Sequence, residues 1–140
     1  RPMGPTVPLR RALLDHITGV EEYTPPATWY LGASTTTPGD DGSNFTEPAD
    51  SAYARIAISD WNTASGSSPA STTNITADAF GPADSGMGPL THWGLFEAAS
   101  GGTPQWVGEF DDAKTLGAGD TGSVAAGAIE LQLGDPDDFT

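Results

Sequence analysis

The segment with the clearest catalytic pattern is Asp120-Thr121-Gly122-Ser123, which matches the D-T-G signature of aspartic proteases. That chemistry needs two carboxylates sharing one proton, so one copy per chain would require a homodimer. In such a site an apolar strand leads directly into the aspartate, whereas here residues 116–119 read Leu-Gly-Ala-Gly. The pattern is therefore more typical of a turn, and it predicts no catalytic residue.

Glycines and histidines suggest two further chemistries. Gly117, Gly119 and Gly122 have the G-x-G-x-x-G spacing of a dinucleotide site, but the strand and helix of a βαβ unit that this fingerprint requires are not predicted around them. His16 and His92 are the only histidines. His92 lies in an aromatic segment, so we interpret it as a packed or hydrogen-bonded structural histidine. A Ser/His/Asp triad stays open, although no nucleophile elbow supports it.

Acidic turns could supply oxygen ligands to a hard cation such as Ca²⁺. The residues concerned are Asp40, Asp41 and Asn44 in one loop, and Asp135, Asp137 and Asp138 near the end of the chain. No EF-hand pattern is present, and solvated acids in a turn and a tail are the simpler interpretation. We expect neither a metal site nor a cofactor site.

Two triplets, Asn44-Phe45-Thr46 and Asn74-Ile75-Thr76, are glycosylation sequons. They matter only in a host that glycosylates the protein, and such triplets also arise by chance in threonine-rich chains.

The elements that position these residues are predicted to be β-strands, and their centre is the stretch 89–110. Residues 90–96 form an apolar, aromatic run, residues 98–104 have the small, Gly and Pro residues of a reversal, and residues 106–110 start a second apolar run. This pattern predicts a β-hairpin that carries two of the four Trp residues.

The whole chain is predicted to be one all-β domain, a β-sandwich or jelly roll of about six to eight strands with a short N-terminal helix. A content of 18 Gly and 12 Pro indicates many turns between short strands. Residues 34–44 and 62–72 are predicted to be exposed polar loops. Further strands are expected at 27–33, 52–61, 73–80, 114–116 and 123–133. In the strand 52–61 the inward residues are Ala52, Ala54, Ile56 and Ile58. In the strand 73–80, one face carries Ile75, Ala77 and Ala79.

Residues 6–18 are the helix candidate, with Thr6 and Pro8 suited to its start and Gly19 to its end. The helix either lies on its own β domain or docks on a neighbouring subunit, with its arginines against acidic surface. We expect residues 1–19 to be an anchor arm, 20–134 the β-sandwich domain and 135–140 an acidic tail. The interface candidates are Leu9, Arg10, Arg11, Leu13, Leu14 and Ile17.

The charge balance, 19 acidic residues against five Lys and Arg for a net charge of −14, excludes an electrostatic nucleic-acid binder. We interpret this acidity as an adaptation to high salt, because molar salt shortens the Debye length from about 10 Å to about 3 Å and screens self-repulsion. No apolar run approaches the roughly 18 residues of a membrane span, and residues 1–8 lack the apolar core of a signal peptide. With no Cys there is no disulfide framework.

Several separated motifs resemble a family of small virion proteins of tailed viruses, known as tail-fibre-like or decoration proteins. They occur in order over residues 9–133, nearly the whole chain. The acidic surface expected for this chain departs from most phage relatives and suits a virus of a haloarchaeal host. The matching segments are 13–19, 29–38, Thr46-Glu47-Pro48 with Tyr53-Ala54-Arg55, 91–102, 119–121 and 125–129.

The resemblance implies a non-enzymatic virion subunit. We expect an oligomeric decoration, tower or turret protein on the capsid surface, with the major capsid protein and further copies of itself as partners. One alternative is a tail or tail-fibre component that touches the host surface. Another is a carbohydrate-binding sandwich whose exposed Trp residues stack on host-surface glycans.

Overall fold

A computed structural model describes residues 2–67 and 69–134 of the chain. Within this part the protein has one helix and nine strands. The helix is α1 (Val7–Thr18); the strands are β1 (Pro2–Pro5), β2 (Trp29–Ser34), β3 (Ile56–Ile58), β4 (Ala70–Thr73), β5 (Asp78–Phe80), β6 (Gly86–Phe96), β7 (Trp106–Gly117), β8 (Gly122–Val124) and β9 (Glu130–Leu133).

The predicted hairpin is confirmed and lies at the centre of the main sheet. That sheet has five antiparallel strands in the order β1-β7-β6-β2-β3, and β6 pairs with β7 in a register that sets Trp93 opposite Gly108. The strands are longer than the sequence indicated, because β6 begins at Gly86 and β7 continues to Gly117. The separate short strand expected at 114–116 is therefore the end of β7.

Two small sheets, β4 with β9 and β5 with β8, cover the core beside the main sheet. Phe80, Val124 and Ile129 of this layer belong to the same buried cluster as Leu31 and Trp93 of the main sheet. Apolar residues from both layers thus form one core, as a sandwich requires. The all-β prediction with a short N-terminal helix is confirmed, with nine strands in place of six to eight.

The extra strands arise because β1, at Pro2–Pro5, was not predicted and because two predicted strands are interrupted. In the predicted strand 73–80, β4 ends at Thr73 and β5 starts at Asp78, and Ile75, expected on one face with Ala77 and Ala79, is 48% exposed. In the predicted strand 123–133, β8 and β9 are separated by a turn at Gly127, which has a φ of 80°. The buried side chain of Asn74 bonds to both interruptions, so the chain bends around it.

The prediction for residues 52–61 is wrong in extent and in orientation. Only Ile56–Ile58 forms a strand, with Ile56 and Ile58 buried as expected. Ala52 and Ala54 are exposed, whereas the Arg55 side chain is 4% exposed. The alternation fails before Ile56 because the buried Arg55 side chain pairs with Glu47, outside the predicted strand.

The two polar loops are also less open than predicted. In residues 34–44, Ser34 is fully buried within β2, and Pro38 and Gly42 are buried. The second loop ends earlier than residue 72, because β4 starts at Ala70 and pairs with β9. Hydrogen bonding accompanies both differences, since the Ser34 hydroxyl accepts the Thr36 and Thr46 amides and the β4 backbone pairs with β9.

The helix prediction is confirmed, with Thr6 at the N-cap position and Gly19 in the left-handed conformation at the C-terminal end. Thr6 is buried, and its hydroxyl donates to the Pro104 carbonyl at 2.9 Å. Leu9 is 5% exposed and belongs to the core. With β1 paired to β7, these contacts join residues 2–18 to the β domain.

Candidate interaction surface

The residues singled out for chemistry stabilise turns and strands. The Asp120 carboxylate accepts the Gly117 amide at 2.9 Å, and the Asp120 amide donates to the Gly117 carbonyl at 2.9 Å. The interpretation as a turn is confirmed for Asp120, which closes the turn after β7, whereas Gly122 and Ser123 belong to β8.

His92 is buried in β6, with Nδ1 2.8 Å from the Thr91 hydroxyl and Nε2 3.4 Å from a Glu109 carboxylate oxygen. This confirms the structural histidine. His16 is exposed at the end of α1, where its Nδ1 accepts the Tyr23 amide at 3.1 Å.

The candidate cation ligands of the first loop are engaged locally. Asp41 Oδ1 accepts the Ser43 amide at 3.0 Å, and the Asn44 amide group donates to the Thr37 carbonyl at 2.9 Å. Within residues 2–67 and 69–134, no three His, Asp or Glu side chains group as a metal site would need. Asp135, Asp137 and Asp138 lie outside the described residues.

The two sequons differ in accessibility. Asn74 is 1% exposed, its amide group donates to the Thr76 and Ala125 carbonyls at 3.1 Å, and its oxygen accepts the Ile129 amide at 2.9 Å. A glycan cannot be accommodated there in the folded protein. Asn44 is exposed.

A buried polar cluster, formed by Glu47, Tyr53 and Arg55, was missed by sequence reasoning. Arg55 binds Glu47 through two parallel bonds, Nε to Oε2 at 3.0 Å and an Nη to Oε1 at 2.8 Å. Its other Nη donates to the carbonyls of Ala98 and Gly101, both at 2.8 Å, in the connection between β6 and β7. The Tyr53 hydroxyl donates to Glu47 and accepts the Ala33 amide of β2.

The electrostatics of this cluster favour the charged pair. Burial alone raises the pKa of Glu47, but hydrogen bonds from Arg55 and Tyr53 outweigh it, so the pKa of Glu47 lies below its ordinary value. Burial, followed by the hydrogen bond to Glu47, raises the pKa of Tyr53. Arg55 also lies over the Phe96 ring, 3.5 Å from its centroid, which adds a cation–π contact. The cluster therefore fixes the loop between β2 and β3 to the central hairpin.

Asp50 holds a second part of the loop between β2 and β3 in place. Its carboxylate accepts backbone amides of Ala52, Asp84, Ser85 and Gly86 at 2.8–2.9 Å. The bonds from Gly86, Asp84 and Ser85 hold the pKa of Asp50 well below its ordinary value. These contacts fasten the loop to the start of β6.

One surface that is open to a partner is the outer side of α1, here named the helix surface: Arg10, Arg11, Leu14, Ile17 and the adjoining Val20. Leu14 is 63%, Ile17 77% and Val20 75% exposed. Arg11 is exposed, and Arg10 donates to the Asp40 carbonyl at 3.3 Å. Of the six predicted interface residues, Leu9 lies in the core and Leu13 packs against it.

A second open surface, here named the acid-rimmed groove, lies between β7 and the β5–β8 sheet. Its cavity of about 210 Å³ is lined by four apolar side chains and by three charged ones, the acids Asp111 and Asp112, for which the groove is named, and Lys114. The apolar lining residues are Phe80, Leu90, Phe110 and Val124.

The tryptophans do not form an exposed platform. Trp93 and Trp106 are buried, and Trp29 and Trp61 are half-buried. The indole N–H groups of Trp61 and Trp106 are buried without an acceptor among the described residues. The exposed Trp residues assumed for a carbohydrate-binding module are therefore not found. No helix in the described part of the chain is long and apolar enough to cross a membrane.

The sequence of this fold matches a known protein family. A sequence model of the family described as "Podophage GP4 fiber I protein gp80" matches residues 6–132. The chain belongs to this family. A comparison with curated proteins found no match.

Membership in the gp80 fibre family bears on the virion role that the sequence predicts. The matched span begins at the N-cap of α1 and ends within β9, so it covers nearly all of the fold described above. The expectation of a phage-type virion structural protein is confirmed at this level. The family's description fits the tail-fibre alternative better than the capsid decoration that we had preferred.

Proposed function

We propose that the protein is a non-enzymatic structural component of the tail fibre of a tailed virus. The observation that carries this proposal is the match to a phage fibre family over residues 6–132. Capsid decoration, our first expectation, has no comparable support. The major capsid protein is accordingly replaced as expected partner by fibre and tail subunits.

The hydrogen bonds that polar side chains make within the chain support a structural role. Asp120, His92, Asp50 and the Glu47–Arg55 pair each bond to the chain's own backbone or side chains. A catalytic group must instead direct its reactive atom at a substrate position. These side chains stabilise a rigid domain that can present its loops.

The helix surface is the proposed assembly contact of the subunit. Exposed Leu14 and Ile17 lie three residues apart on one helix side, next to Arg10 and Arg11, and a virion partner would cover them. Binding to the assembled particle then favours the ordered structure by mass action. A host-surface glycan stays a possible ligand of the loops, without the tryptophan stacking first expected.

Deleting the gene in the virus tests the proposal. We expect particles with stable, DNA-filled heads that adsorb poorly to host cells, and adsorption should return when the gene is supplied in trans. Heads that lose DNA on mild heating while adsorption stays normal would instead indicate capsid decoration and contradict the fibre proposal.

A further inference from the structure

Two open surfaces of the molecule have complementary chemistry, one apolar and basic, the other apolar and acidic. We propose that the helix surface of one copy docks into the acid-rimmed groove of a second copy, in a head-to-tail contact. The inference names the partner of the proposed assembly contact, and so rests on the proposed function.

The helix surface offers aliphatic side chains, and the groove is a small cavity. Leu14 and Ile17 expose most of their side chains on one side of α1. The groove's cavity, about 210 Å³, is below the roughly 300–1,000 Å³ of typical small-molecule pockets. Its apolar lining combines half-buried Phe110 with the core residues Leu90 and Val124, which are 3% and 5% exposed, and it suits an aliphatic side chain better than a cofactor.

Charge favours contacts between cations and acids in a chain with a net charge of −14. Two such copies repel each other over most of their surfaces, so contact is favoured where cations of one meet acids of the other. Arg55 is buried against Glu47, and Lys114 lies at the groove itself. Arg10 and Arg11 are the exposed cations elsewhere in residues 2–134, and they adjoin Leu14. The rim acid Asp112 is exposed and provides their counter-charge.

The position of the two surfaces sets the symmetry. The helix surface lies on α1, which packs on β1, whereas the groove lies among β5, β6, β7 and β8. Because the surfaces share no residue, the contact is heterologous, and repetition gives either a closed ring or a continuing filament. Both arrangements are compatible with a fibre.

Sedimentation of the purified full chain at 0.1 M and 2 M NaCl tests the contact. We expect the wild type to self-associate, and the helix variant Leu14→Gln/Ile17→Gln to weaken association at least about 100-fold, because each aliphatic side chain buried contributes about tenfold or more. The groove variant Asp112→Arg/Ser123→Arg should weaken it similarly. Ile75→Gln and Asp60→Arg, which change exposed residues outside both surfaces, should have no effect.

Mixing the two variants identifies the geometry. The groove variant retains an intact helix surface and the helix variant an intact groove, so a head-to-tail contact predicts that the mixture forms dimers and no larger species. A mixture that stays monomeric, or a groove variant that associates like the wild type, overturns the inference. A wild type that is monomeric at both salt concentrations up to about 1 mM overturns it as well.

Controls distinguish loss of the contact from unfolding of a variant and from a wrong location on the particle. Far-UV circular dichroism of every variant excludes unfolding, and the exposed positions chosen leave the core intact. Because the assay uses purified protein, its failure leaves the tail location untouched. A capsid location found for a protein that associates as predicted would contradict only the fibre proposal.

Discussion

Arg55 is the side chain on which the buried polar contacts converge. It links Glu47 in one loop to the Ala98 and Gly101 carbonyls in the central hairpin, 43 and 46 residues away in sequence. An ion pair of this kind is costly to break, because the Glu47 carboxylate, whose side chain is 28% exposed, stays partly buried without its partner.

We expect Arg55→Ala to lower the free energy of unfolding by about 3 kcal/mol, since Glu47 and two carbonyls lose their donor. Replacing both partners, as Glu47→Leu/Arg55→Met, should recover a large part of that loss. Urea denaturation measures both effects, with the exposed Arg11→Ala as the matched control at less than about 0.5 kcal/mol. An equal effect of Arg55→Ala and Arg11→Ala would show that the pair contributes nothing.

Asp50 predicts a specific acid sensitivity. Its pKa is lower in the folded than in the unfolded chain, so its contribution to stability is complete above about pH 5 and is lost as the pH falls below the ordinary value of about 3.9. The difference in urea midpoint between wild type and Asp50→Asn should therefore be largest at pH 6 and shrink towards pH 2.5. A difference that does not change with pH would refute this assignment, and Asp60→Asn is the control.

At this scale the sequence predicted the local roles and missed the long-range ones. The turn at Asp120 and the packed His92 follow from neighbouring residues. Regular alternation along residues 52–61 predicts an outward Arg55, although the segments that contain Arg55 and Glu47 occur together among the family-like motifs. Which distant side chain completes a buried pair depends on tertiary packing, which periodicity does not encode.

Among the elements, the hairpin β6–β7 and helix α1 were the most predictable. Each has a local signal, namely an apolar run with a Gly/Pro reversal, and a stripe with Thr6 and Gly19 at its ends. The interrupted strands around Asn74 were not predictable in this way. Apolar residues such as Ile75 and Ala77 continue the strand pattern, and the bend comes from Asn74 bonding to residues about 50 positions away.

The packing of β6 on β7 makes a prediction for Gly108. A Cβ added at Gly108 would lie 2.2 Å from Cζ2 of Trp93, so the strand or the ring has to move. We expect Gly108→Ala to lower the free energy of unfolding, measured by thermal or urea denaturation, by about 1–3 kcal/mol. In a Trp93→Phe background, which removes the crowding atoms, the same change should cost less.

The control for this experiment is Gly117→Ala in the same strand. Its added Cβ would meet only the flexible Asp120 side chain, at 3.3 Å. Equal losses for Gly108→Ala and Gly117→Ala would contradict close packing of Trp93 on the β7 backbone.

For the whole molecule, net charge is the property that most affects stability in solution. At −14, repulsion between acids opposes the compact state, and added salt screens it. Adaptation to high salt and a haloarchaeal host stay predictions. We expect the thermal midpoint to rise between 0.1 M and 2 M NaCl, by roughly 3–5 °C for each kcal/mol of repulsion removed. Sucrose at matched osmolality is the control, and a midpoint that does not rise with NaCl would contradict the prediction.

Location on the particle tests the central claim most directly. Antibody against the purified protein, detected with gold in electron micrographs of intact virions, shows where the chain lies. We predict label on the fibres at the tail end of the particle and none on the head. Label distributed regularly over the capsid surface, with the tail unlabelled, would contradict the fibre assignment.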